Sequence, residues 1–175
     1  KRRTIMNFSQ LLPKIIGFIV IVITVALSPA VYTANLTVVN YSSLATFLGM
    51  TAIAPYGGFL LILGILIAQG LFAIAGARGT GNGGWKDLFT MVGTVVCVII
   101  ILNLYSAAIL PGFLGLVNAA SVASDTIGQT VFAVFPIVIY LGIIIGAIGF
   151  SGVKAAGQGK KKSKKSSVKS SVSYA

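Results

Sequence analysis

Four apolar segments, at 15–32, 47–77, 88–110 and 126–153, take up most of a 175-residue chain and leave little choice of architecture. Each can cross a hydrocarbon core of about 30 Å as a helix rising about 1.5 Å per residue, and the second and fourth have length to spare for tilt. None keeps the strict two-residue alternation of a membrane barrel strand, so helices are expected. A charged fraction of 9% against 57% hydrophobic residues agrees, since soluble domains carry roughly a quarter charged. The expected fold is an all-α, integral-membrane, hydrophobic four-helix bundle.

The few charges fall in a pattern. The 13 Lys and Arg outnumber 2 Asp and Glu, giving a formal net charge of +11. Lys1, Arg2, Arg3 and Lys14 precede the first span, Arg78 and Lys86 lie between the second and third, and Lys154 with a lysine-rich ending follows the fourth. The connections 33–46 and 111–125 carry neither Lys nor Arg. Because basic loops stay on the cytoplasmic side, both termini and the GARGTGNGGWKD connection are expected inside and the other two connections outside. The outer connection 33–46 holds Asn35-Leu36-Thr37 and Asn40-Tyr41-Ser42, so Asn35 and Asn40 are candidate glycosylation acceptors. A third match, Asn7-Phe8-Ser9, lies on the inner side. The chain begins KRRTIMNF, which raises the expectation of processing before Lys1. Cys97, in the run VGTVVCVIIIL, reads as a buried, inert thiol.

Sliding the chain on itself by 78 residues superimposes 10–79 on 88–157 without a gap. Val20-Ile21-x-Ile23 falls on Val98-Ile99-x-Ile101, Ser28-x-Ala30 on Ser106-x-Ala108, and Leu63-Gly64-Ile65-x-Ile67 on Leu141-Gly142-Ile143-x-Ile145. Between them Leu36, Val39, Asn40 and Ser43 meet Leu114, Val117, Asn118 and Ser121. The chain therefore divides into a basic segment 1–14, a first helical hairpin 15–79, a Gly-rich inner loop 80–87, a second hairpin 88–157 and a Lys/Ser-rich tail 158–175. Both hairpins run inside to outside and back, which leads us to expect a pseudo-twofold axis along the membrane normal.

Enzymatic chemistry is short of reagents. General acid–base work and metal ligation draw mainly on His, Asp, Glu and Cys, and the chain offers only Asp87, Asp125 and Cys97, far apart in sequence. No catalytic role, cofactor or metal is expected. Asp125 follows Ser124 at the start of the fourth span, where a carboxylate satisfies free amide donors. Asp87 beside Lys86 reads as a local counter-charge, and Trp85 as an interfacial anchor. The GARGTGNGGWKD loop lacks the spacing and the strand–helix frame of a phosphate-binding loop. A small transporter or channel is an alternative, since duplicated bundles carry solutes. The spans hold no ionisable residue that would mark a pathway, and Asn103 and Gln69 are explained by interhelical hydrogen bonds.

Packing signals are stronger. Gly64-x-x-x-Ala68 and Gly142-x-x-x-Gly146 occupy equivalent repeat positions, and small residues four apart let another helix approach closely, within a subunit or between subunits. Ala73-x-x-x-Ala77 extends the stripe. In the tail, Lys160, Lys161, Lys162, Lys164, Lys165 and Lys169 alternate with Ser and lack apolar periodicity, so a mobile segment awaiting an anion is expected. One or two lysines would fix sidedness; six with a Ser-rich spacer suit a polyanion better.

Duplicated apolar hairpins, sparse charge and the terminal KKKSKK together resemble the α-helical major capsid proteins of spindle-shaped viruses of hyperthermophilic archaea, especially the tailed kind. The resemblance spans the whole chain as architecture. It implies a virion shell subunit that self-assembles into a large homo-oligomer, passes through the host membrane during assembly, and turns its basic residues (the six tail lysines with Lys1, Arg2 and Arg3) toward packaged double-stranded DNA. Such contacts would ignore base sequence. A conjugative-pilus-type subunit, which also stacks apolar hairpins into tubes, is the other polymeric alternative.

Overall fold

A computed structural model describes residues 8–77 and 85–169, and among these the chain is helical, with no strand. Helices α1 (Phe8–Val39) and α2 (Met50–Ala77) form the first hairpin. In the second, α3 (Trp85–Leu104) continues through a π turn at Tyr105–Ile109 into α4 (Leu110–Val117). The short α5 (Ala120–Ala123) leads to α6 (Thr126–Lys169). Four stretches, Lys14–Val39, Met50–Ile74, Leu88–Val117 and Thr126–Val153, are long and apolar enough to cross a membrane. The all-α bundle expected from the sequence is what forms.

Its internal relation is not the expected one. α1 packs along α2 and also along α3, while α2 packs along α6; α1 with α6, and α2 with α3, barely meet at the backbone level. The cyclic order is therefore α3, α1, α2, α6. A twofold axis along the bundle would have set α6 beside α1 and α3 beside α2. The second hairpin is instead displaced sideways from the first, facing the same way. The sequence carries the reason: Leu88 and Met91 of α3 close over Ile16, Val20 and Phe72, but their repeat equivalents are Gln10 and Pro13. The joint unites unlike surfaces, whereas a twofold joint needs like ones.

The two hairpins also differ in closure. A Cβ on Gly17 would lie 2.9 Å from the Cα of Ala73, so α1 and α2 touch backbone to backbone. The equivalent of Gly17 is Val95, whose side chain is buried, so the second hairpin has no glycine at this point of close approach. α3 and α6 accordingly touch much less than α1 and α2.

The π turn adds a further offset, because it accommodates one residue more than an α turn. Before it, Val20 and Val98, 78 residues apart, are both fully buried. After it, buried Val31 and Val38 find their counterparts 79 residues on, in Leu110 and Val117. Leu116, the gap-free equivalent of Val38, is 44% exposed.

At the end away from the termini, residues 40–49 form a compact loop with a 3-10 turn at Leu44–Thr46. Gly49 ends it at φ 77°, a conformation that side chains disfavour. The Leu48 amide donates to the Ala133 carbonyl at 3.1 Å, tying this loop to α6. Asp125 caps α6 as its position implies: its Oδ1 accepts the Ile127 amide at 3.0 Å.

At the other end, a mobile tail was expected from 158. The backbone of α6 instead stays helical to Lys169. Extending an existing helix needs no new nucleus, and Lys, Ala and Gln are good helix formers. The last 16 residues, 154–169, carry the helix about 24 Å past the apolar span at about 1.5 Å per residue.

Candidate assembly surface and basic end

Hairpin topology brings the start of α1, the end of α2, the start of α3 and the far end of α6 to one end of the bundle. Among the described residues, Lys14, Lys86, Lys154 and the six lysines at 160–169 lie toward these helix ends, and Asp125 sits at the opposite end. Lys1, Arg2 and Arg3 lie outside the described residues. Lys160, Lys161, Lys162, Lys164, Lys165 and Lys169 belong to the helical backbone of α6, while their side chains lie outside what is described.

The flanks of the bundle expose mostly apolar side chains. Phe18, Phe59, Ile67, Phe89, Ile100 and Ile145 are among the large hydrophobic side chains more than half exposed. A surface of this kind requires lipid or other protein.

The small-residue positions do not behave alike. Gly64 receives α6: a Cβ there would lie 2.5 Å from both Cδ1 and Cγ1 of Ile148 and 3.2 Å from its Cγ2. Ala68 is buried in the same seam. This half of the motif pair packs within the subunit. Gly142 and Gly146 are exposed and meet nothing within 4 Å. They line a cleft of about 480 Å³ between α3 and α6, together with Gly93, Cys97, Ile101 and Ile143. Cys97 is exposed there, contrary to the buried thiol expected from its apolar run. That run fixes only that the helix is apolar, not which side faces the core.

A polar node sits deep between the helices. The Asn35 Nδ2 donates to the Ala54 carbonyl at 3.0 Å. The Tyr140 hydroxyl donates to Asn35 Oδ1 and lies 3.3 Å from the same carbonyl. Tyr105 packs against Tyr140 in a tilted arrangement with ring centroids 5.6 Å apart, and its hydroxyl donates to the Pro136 carbonyl at 2.7 Å. Asn35 is 1% exposed. Its sequon is therefore excluded as a glycosylation site in the folded chain, because the amide nitrogen that would carry the sugar is buried and engaged. α1 runs on past the apolar run to Val39, drawing Asn35 into the core. Asn40, one residue beyond the helix, is exposed.

The other polar residues in the spans depart from expectation too. Asn103 donates to the Ile99 carbonyl of its own helix at 2.9 Å rather than to a neighbouring helix. Gln69 is buried, and its Oε1 has no hydrogen-bond partner. Among the described residues, no three His, Cys, Asp or Glu side chains form a cluster that could hold a metal. Sequence reasoning missed the Tyr105–Tyr140–Asn35 node, whose only signal was two tyrosines inside otherwise apolar spans, Asn35 having been assigned to the connection 33–46. No protein-family model, curated protein or solved structure matches the chain.

Proposed function

We propose that this chain is a structural virion protein of the major-capsid type. Its subunits associate through their apolar helix faces, and their basic end binds the enclosed double-stranded DNA without regard to sequence. The observation that carries this reading is the segregation of charge: the basic residues among those described gather toward one end of a bundle whose exposed flanks are mostly apolar. The flanks supply non-directional cohesion. The basic end supplies counterion release, which depends on phosphate density rather than base identity. Six lysines within 160–169 exceed what sidedness in a membrane needs. A subunit placed in the host membrane with this end cytoplasmic keeps it interior when the particle leaves.

The test is deletion of 160–175. Particles or tubes should still assemble, since their cohesion lies in the spans, but should lose most of their DNA. Loss of oligomers on deletion, or assemblies of the intact chain with an empty lumen, would favour a pilus-type subunit or a membrane anchor instead.

A further inference from the structure

We infer that the subunit polymerises head to tail by repeating the α2–α6 half of its own internal joint: the open face of α6 receives α2 of the next copy. This joint rests on the self-assembly part of the proposed function, which it deepens, and is independent of DNA.

Inside one chain, Gly64 on α2 accepts α6, and its neighbours Leu61, Ile65 and Ala68 are buried. The α6 side of this joint runs through Ile137, Tyr140, Ile144 and Ile148, with Ile148 seated over Gly64. Moving each set by the 78-residue repeat shows what the chain leaves unused.

The accepting set becomes Ile139, Gly142, Ile143 and Gly146 on α6. Leu61, Ile65 and Ala68 are buried, whereas Gly142 and Gly146 are exposed and Ile139 and Ile143 only half-buried. Moved back by 78, the inserting set becomes Phe59, Ile62, Leu66 and Gly70 on α2. Phe59 is 61% exposed, and a Cβ at Gly70 would meet nothing within 4 Å. One chain therefore carries both halves of a joint it already makes once, and neither half is fully covered.

A sideways displacement relates the hairpins, so the joint is heterologous and does not close on itself. The partner for the open face is accordingly α2 of a second copy. In that joint Gly142 meets Gly70, two glycines at the point of closest approach, which suits helix packing inside a bilayer.

Disulfide trapping tests this directly, because the internal counterpart, Gly64 against Ile148, brings the side-chain positions within disulfide reach. Full-length Gly70→Cys and Gly142→Cys are made separately and together in a Cys97→Ala background; both glycines have room for the added side chain. After co-assembly and oxidation, the two single variants should cross-link to each other and neither to itself. The double variant should give a ladder of oligomers. Gly146→Leu should remove the ladder from the double variant while leaving thermal unfolding of the detergent-solubilised monomer unchanged.

Cross-linking of Gly142→Cys alone would overturn the inference, since the face would then meet its own copy. Assembled material that never cross-links between 70 and 142 would also overturn it, leaving lipid or another protein over the face. DNA content is measured on the same material: a ladder without DNA would sink the capsid reading and leave this joint standing.

Discussion

Replacing Gly57 by Ala tests whether the buried polar node organises the bundle. A Cβ at this position would collide with the Tyr140 hydroxyl, lie 2.6 Å from its Cζ and come within 3.0 Å of Asn35 Oδ1. Tyr140 must then swing out. It would give up its hydrogen bonds to Asn35 and the Ala54 carbonyl and its packing against Tyr105. Overpacking a tight core costs about 1–3 kcal/mol. Stranding a buried acceptor costs about 1–3 kcal/mol more, and Ala returns about 1 kcal/mol of helix propensity. The net loss is about 1–5 kcal/mol. Gly70→Ala, the same change where nothing lies within 4 Å, should leave the isolated subunit as stable as before or raise its stability by up to about 1 kcal/mol. The assay is equilibrium unfolding in mild detergent titrated with a denaturing one. Removing the hydroxyl in Gly57→Ala/Tyr140→Phe should recover part of the loss. Equal stabilities for the two alanine variants would refute the reasoning, because only the surroundings distinguish the sites.

Two further outcomes follow from the cleft and the basic end. Cys97, exposed on the cleft wall, should react with a maleimide in solubilised subunits and become at least tenfold slower in assembled particles; equal rates in both states would show that the cleft stays open. A peptide of residues 154–175 should bind duplex DNA with a log–log salt slope of about −0.9 per phosphate neutralised and should gain helicity on binding. The 160/164, 161/165 and 165/169 pairs place lysines four apart on the helix, and phosphates would relieve their mutual repulsion. Changing the six lysines to Gln should abolish binding, and changing them to Arg should preserve it. Strong sequence preference, or an affinity indifferent to salt, would count against the polyanion role.

The sequence made some of this legible and hid the rest for identifiable reasons. Four spans, paired hairpins and the Asp125 cap follow from length, charge and local chemistry, and each is present. Asn35 could not be placed by its sequon, because the three-residue pattern reads the same whether α1 stops before it or, as here, continues to Val39. The repeat exposed the duplication but not the operator relating the copies. That operator turned on which residues face the partner, and Leu88 and Met91 against Gln10 and Pro13 were the available sign. The contrast of Gly17 with Val95 likewise announced that one hairpin would close and the other stay apart. The helical continuation to Lys169 escaped because a segment that cannot nucleate a helix can still extend one.

The π turn at Tyr105–Ile109 also bears on how rigid any strand of subunits can be. One surplus residue rotates the ridge beyond it by about 100°, the angular step of a 3.6-residue helix. Up to Tyr105, α3 keeps the 78-residue register of α1, but the part beyond it shows a neighbour a different ridge. A joint between chains that imitates the joint within a chain can match along only one of its halves. Such a contact works as a rocker: neighbours keep their grip at one level while their far ends tilt together or apart. A polymer joined in this way would have no single radius of curvature built into it.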